Sequence, residues 1–140
     1  MDFLNQGTDD RLWFTQQSGT VIMRLPATPY AALRAALRKA MEKYPFAKWK
    51  SALLNTCYDF SGLKTVSYPK IGFVFGGGVT VDLDATGVLF QTSSSHCCLA
   101  FAGNNDDSSI GIIGNVQQKR LQVVYDVVWG KIGFGPAGCP

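Results

Sequence analysis

The sequence predicts a single, mostly β domain: a closed or folded β-barrel with one main helix packed against it. Three observations lead there. A chain of 140 residues fits one domain and can bury a real core. Its 15 glycines fall largely between short apolar runs, the mark of a turn-rich β protein. One stretch alone carries a sustained helical stripe.

Residues 1–17 are polar without a clear period and are left unassigned. "GTVIMRL" (19–25) reads as a strand. "ATPYAALRAALRKAMEKYP" (27–45) is the helix: Thr28 suits its N-cap, Pro29 its first position, and Pro45 ends it. Tyr30, Leu33, Leu37, Met41 and Tyr44 form one apolar stripe, read as core rather than as a cofactor site. Short strands follow: "CYDF", "KIGFVF", "VTVDL", "GVLFQT", "CCLAFA", "IGIIG", "LQVVYDVV" and "KIGF". The turn signals "SGLK", "GGG", "DATG", "AGNNDD" and "WGK" separate them. "FGGGV" is a turn and not a phosphate loop, because no Lys-Ser or Lys-Thr and no helix follow it. There is no internal repeat and no linker.

The net charge of +3 is weak, but Arg34, Arg38, Lys39, Lys43, Lys48 and Lys50 gather in one region. A patch for an acidic partner is the functional reading. A solvated helix face, with cations suiting the C-terminal end of the helix dipole, is the plainer and preferred one. No aromatic stacking platform accompanies the patch, so no nucleic-acid partner is expected. No run is long and apolar enough to span a membrane, and "MDFLNQGTDDRLWF" lacks the apolar centre of a secretory signal, so a cytoplasmic location is expected of the chain as written.

The cysteines Cys57, Cys97, Cys98 and Cys139 lack zinc-site spacing, and adjacent Cys97 and Cys98 are poor joint ligands. The one histidine, His96, reads as a loop residue beside a strand. Neither metal nor cofactor is expected.

"SGTVIMRLP", "YAALRAALRKAM", "TCYDFSG", "PKIGFVFGGGVTVDLDATGVLF", "CLAFAGNNDD" and "IIGNVQQKRLQVVYDVVWGKIGFGPAGC" occur in this order. Together they resemble the C-terminal lobe of plant pepsin-like aspartic proteases of the nepenthesin and nucellin type, a lobe that the plant xylanase inhibitors share. The resemblance covers Ser18 to Cys139, so residues 18–140 are read as the lobe and 1–17 as a non-family segment. It implies a pepsin-like acid-protease lobe from a plant.

In that family each of two lobes supplies an Asp-Ser/Thr-Gly loop, held from behind by a hydrophobic-hydrophobic-Gly segment. Ser18, Gly19 and Thr20 match the residues after the aspartate, whose own place falls at Gln17. Ile112, Ile113 and Gly114, followed by Asn115, match the crossing segment. The mechanism needs two carboxylates sharing one proton, one to activate water and one to polarise the scissile carbonyl. A glutamine amide can be neither, and Asp82, Asp84, Asp106 and Asp107 match no catalytic position. The other lobe, with its aspartate and flap, has no counterpart in these 140 residues.

The resemblance also pairs Cys57 with Cys98 in a disulfide of this lobe, worth about 4 kcal/mol in the chain-entropy model. It leaves Cys139, whose family partner is in the other lobe, as an orphan. Cys97 is read as a small buried hydrophobe. In a reducing cytosol all four would be thiols, and the lobe marginal.

The function so implied is a catalytically inactive, aspartic-protease-like half-molecule. It would bind a protein partner, or a second copy, through the former inter-lobe face: the loop at Ser18–Thr20, the segment Ile112–Asn115 and the terminal strand at Ile132–Phe134. One alternative is an aspartic endopeptidase, or a subunit of one completed by a partner lobe. Another is a glycosidase-inhibitor-like binding protein. A gene fragment without a selected role is the bland alternative.

Overall fold

The computed structural model describes residues 14–16 (backbone), 19–49, 51, 53–76 and 78–136. The chain is mostly β, with one long helix and two single-turn helices among these residues. Among the described residues the strands form four small sheets. One sheet has the order β1-β9-β2-β8, comprising β1 (Phe14–Gln16), β2 (Met23–Leu25), β8 (Phe101–Gly103) and β9 (Gly111–Ile113). A second has the order β3-β7-β6, comprising β3 (Cys57–Asp59), β6 (Leu89–Gln91) and β7 (His96–Leu99). Two hairpins complete the set: β4 (Gly72–Phe75) with β5 (Val79–Asp82), and β10 (Leu121–Asp126) with β11 (Lys131–Pro136).

The predicted stripe is buried: Leu33 and Leu37 on the helix α1 (Ala27–Ala40), and Met41 and Tyr44 just beyond its end, pack among Met23, Leu25, Tyr58, Phe73 and Phe101, with Tyr30 partly buried against them. A smaller second core joins Ile22, Leu54, Cys57, Cys98, Ala100, Ala102 and Val116.

Five local expectations need correction. The main helix ends at Ala40 with Met41 as its cap, not at Pro45, and Met41 and Tyr44 lie in the turn that follows. Thr28 is not the cap of α1. Pro26 holds the cap position and the helix begins at Ala27, two residues earlier than expected, so Thr28 and Pro29 lie inside its first turn. The free amides there are satisfied from 79 residues away: Asp107 Oδ1 accepts from Thr28 N–H at 2.6 Å, its Oδ2 accepts from the Thr28 hydroxyl at 2.5 Å, and Asp106 O accepts from Ala27 N–H at 3.1 Å. The run "GVLFQT" is not one strand. Asp84 caps a short helix, α2 (Ala85–Val88), by accepting from Thr86 N–H and Oγ1, and only Leu89–Gln91 is extended. The run "CCLAFA" is divided at Ala100, whose N–H donates to Val88 O at 2.9 Å, so its two halves serve different sheets. His96 opens β7 rather than lying in a loop.

Within the stretch left unassigned from sequence, Phe14–Gln16 runs parallel to β9 in the register Phe14↔Gly111, Thr15↔Ile112, Gln16↔Ile113. Its pairing is wholly long-range, which is why no local period announces it. No helix among the described residues is long and apolar enough to cross a membrane.

Candidate functional site

The loop between β1 and β2 is held by the segment that follows β9. β9 lies between the two strands that flank the loop, parallel to β1 and antiparallel to β2 through Arg24↔Ile112. Beyond it Gly114 bends the chain into α3 (Asn115–Gln118). Asn115 N–H donates to Thr20 O at 2.8 Å, and Val116 N–H donates to Val21 O at 3.1 Å. Gly114 is required by the closeness of this crossing: a Cβ there would stand 2.6 Å from Val21 O and Ile22 C and 2.8 Å from Met23 N. All three are backbone atoms, so no side chain could turn aside to make room.

Thus Thr20 and Val21 are brought against Gly114, Asn115 and Val116, with Ile113 buried and Ile112 half-buried, while Gly19 stays exposed. Gln17 and Ser18 lie outside the described residues, as does Cys139.

Gln117 is a member of this site that sequence reasoning missed. It is 1% exposed. Its Oε1 accepts from Met23 N–H at 3.0 Å, and its Nε2 donates to Gly87 O at 3.0 Å and Ala100 O at 2.6 Å. One amide therefore ties β2, α2 and the β7–β8 junction together behind the loop. Gln118 Nε2 adds a bond to Ile113 O at 3.0 Å. A polar pair on a short helix carries no local sign of such burial.

The aspartates around the site have structural partners. Asp84 caps α2 and lies 3.5 Å from Arg120. Its carboxyl is held below the ordinary range chiefly by the Thr86 hydroxyl. Asp106 is held down by Ser108 and Asp107 by Thr28. His96 Nε2 stands 3.7 Å from Asp59 Oδ2 and its Nδ1 2.8 Å from Ser93 Oγ, ordering the β6–β7 turn.

Cys57 and Cys98 are directly opposite in the β3–β7 pair, with Cα atoms 4.0 Å apart, and form a disulfide. Their neighbours Thr56 and Leu99 share a backbone bond, which makes the cysteines a narrow, non-hydrogen-bonded pair with side chains in closest approach. Cys97 is a free, half-buried thiol packed on the main core, and burial pushes its pKa up.

The segment Ile132–Phe134 is not part of the loop's sheet, since β11 pairs only with β10 among the described residues. On one face of this hairpin Val123 is opposite Phe134, which stacks on Phe75 at 5.3 Å. Further out on the same face, Tyr125 and Ile132 are opposite each other and more than half or half exposed. Val127, Val128 and Trp129 at the turn are 89%, 81% and 74% exposed. The hairpin's apolar face is covered at its base and bare toward its turn.

The family described as xylanase inhibitor C-terminal matches residues 9–136. An aspartyl protease family protein of Arabidopsis thaliana is 52% identical over 122 residues, covering 87% of this chain and 26% of that protein. Aspartic proteinase nepenthesin-2 of Nepenthes gracilis is 33% identical over 123 residues, covering 87% and 27%. The chain thus spans about a quarter of the length of these relatives. In three dimensions it is similar to conglutin gamma, a basic 7S globulin of lupine seeds (TM-score 0.73, 15% identity, 86% of this chain and 31% of that one). It is similar also to the basic 7S globulin of soybean (TM-score 0.71, 20% identity, 86% and 32%). These two likenesses concern the fold alone.

Proposed function

Because the chain belongs to the xylanase inhibitor C-terminal family, the C-terminal lobe of plant pepsin-like aspartyl proteases, we propose that it is a catalytically inactive, aspartic-protease-like half-molecule that acts through protein–protein binding. The bare apolar face of the β10–β11 hairpin carries this reading. Tyr125, Val127, Val128, Trp129 and Ile132 are all half or more exposed in one short segment, where a lone lobe would cover such residues. Burying this surface is favourable by roughly 25 cal/mol per Å², which offsets the entropy of association once several side chains are covered together. Gln17, at the place the resemblance gives to the aspartate, supports the inactive half of the reading: an amide cannot take or give the proton that the reaction moves.

Sedimentation across a concentration series tests the binding. Self-association at micromolar concentration, weakened by Ile132→Asp, is the expected result. A chain that stays monomeric at high concentration and captures no partner lobe would overturn it.

A second reading is favoured by the 52% identity to a protein named as an aspartyl protease: a protease subunit whose catalysis is completed by another lobe. Cleavage of a denatured protein at about pH 3–5, where carboxylate dyads work, separates the two. No cleavage is expected from this chain, nor from Gln17→Asp alone. Inhibitor-sensitive cleavage that appears only on adding an N-terminal lobe would establish the second reading.

A further inference from the structure

The basic cluster on α1 is not uniformly solvated. Arg34 and Arg38, one turn apart, line an open cleft of about 180 Å³ together with Phe46, Asn55 and Thr56. Lys39 and Lys43 of the same cluster do not line it.

Arg34 is oriented from one side. Its Nε–H donates to Oγ1 of the buried Thr56 at 2.8 Å. The Thr56 hydroxyl donates to Asn55 Oδ1 at 3.1 Å, as does the Tyr30 hydroxyl at 2.8 Å. With the Nε edge held, the terminal Nη1/Nη2 edge of the guanidinium has no partner among the described residues. Asn55 Oδ1 accepts twice, so the spare capacity of that side chain is its NH2 group.

Arg38 has no hydrogen-bond partner among the described residues and rests over the Phe46 ring at 5.0 Å. Neither arginine meets a carboxylate, since the two ion pairs among the described residues are His96–Asp59 and Arg120–Asp84. Two like charges one helical turn apart are unfavourable by themselves.

Phe46 is 53% exposed and offers a flat apolar wall. Beneath it Tyr58, wholly buried, stacks at 5.2 Å, and its hydroxyl has no hydrogen-bond partner. Burial pushes the Tyr58 hydroxyl pKa up, and the Arg38 and Arg34 charges oppose that.

The cleft therefore offers an oriented guanidinium fork, a second unpaired cation, an amide donor and an aromatic wall. Apart from the second lone pair of the buried Thr56 hydroxyl, the side-chain polar capacity left there is that of donors. A guanidinium presenting two terminal N–H groups matches the two oxygens of a carboxylate or phosphate.

We propose that this cleft binds an oxyanion, a carboxylate or phosphate group, whose apolar body lies against Phe46. Arg34 takes the oxygens end-on, Asn55 donates its amide, and Arg38 closes the charge. The site is separate from the β10–β11 hairpin, so it stands or falls independently of the binding reading above.

The test is titration of the full chain, at ionic strength held constant with sodium chloride, followed by nitrogen-15 NMR. Benzoate probes the carboxylate arm, and phenyl phosphate and inorganic phosphate the phosphate arm. At least one arm should saturate, shifting the Arg34 Nε–H and Asn55 amide signals together. Arg34→Gln with Arg38→Gln should weaken the saturating probe at least tenfold. Lys39→Gln with Lys43→Gln removes the same charge from the end of the helix and the turn after it, and should weaken it less than twofold. If the arginine pair does not fold, Arg38→Gln alone, which breaks no hydrogen bond, should still weaken binding at least threefold. Absence of saturation in both arms, or equal losses from the two charge-matched pairs, overturns the proposal and leaves a solvated helix face.

Discussion

Replacing Gln117 by leucine should cost the lobe about 3 kcal/mol, although the volume hardly changes. The side chain is 1% exposed, and its three bonds satisfy Met23 N–H, Gly87 O and Ala100 O. Each buried backbone group left unpaired costs about 1–3 kcal/mol. The better transfer of leucine into the core returns about 1–2 kcal/mol, which brings the sum to that order. Denaturant unfolding followed by tryptophan fluorescence reads it as a lower midpoint with an unchanged slope, and exchange of the Met23 amide should quicken in step. Gln117→Glu sharpens the test. It keeps an acceptor for Met23 N–H but sets a carboxylate oxygen against two carbonyls. Burial and those carbonyls raise the folded-state pKa of the new group. Its fit is then fully present below the unfolded value of about 4.3 and is lost as pH rises through the folded value. Relative to the parent chain, this variant should be least impaired near pH 4 and worst at pH 7. A loss under about 1 kcal/mol for leucine, or a flat pH profile for glutamate, would refute the bridging role.

Gly114→Ala should destabilise by about 3 kcal/mol, because the new methyl meets Val21 and Ile22 backbone at 2.6 Å; a thermal melt that does not move would place the loop elsewhere. Removing the disulfide by Cys57→Ala with Cys98→Ala should lower stability by about 4 kcal/mol for its separation of 41 residues, and a change near zero in the denaturant midpoint would show that the closed loop is already ordered when unfolded. Acid should weaken the lobe. The carboxyls of Asp59, Asp84, Asp106 and Asp107 all sit below their ordinary value, held mainly by neighbouring hydroxyls. Their contribution is present above the unfolded value and is lost as pH falls through the folded values. Stability that keeps rising from pH 5 to pH 3 would contradict that sign.

The parts legible in the sequence are those whose cause is local. The α1 stripe from Tyr30 to Leu37 needs only helical spacing, and the β4–β5 and β10–β11 hairpins need only apolar runs around a glycine-bearing turn. Thr28 misled because a hydroxyl before a proline looks like a cap, whereas the acceptor that counts is Asp107 on the loop after β8. The α2 turn had a local sign, Asp84 two residues before Thr86, but the apolar residues after it read as strand. Gln117 and the pairing of β1 had no local sign at all, because both depend on segments that meet only in the folded chain. At the candidate site, the match of Ile112–Asn115 to a crossing segment marked residues that do lie against Thr20 and Val21. That match says nothing of the cleft at Arg34, which depends on Thr56 and Asn55 arriving from another segment.

The strand order β1-β9-β2-β8 has a consequence in time. β1 and β2 are neighbours in sequence but not in the sheet, because β9 lies between them. As the chain leaves the ribosome, α1 and the β4–β5 hairpin can form from local contacts. The sheet that carries the loop must wait for Gly111–Ile113. Until then β1 and β2 stand with open edges and the crossing at Gly114 does not exist. Such long-range closure is slow, and the interval is when unpaired strands are most open to pairing with another chain. For this lobe the hazard belongs to synthesis more than to the finished fold, and a chain interrupted before residue 111 would stay in that open condition.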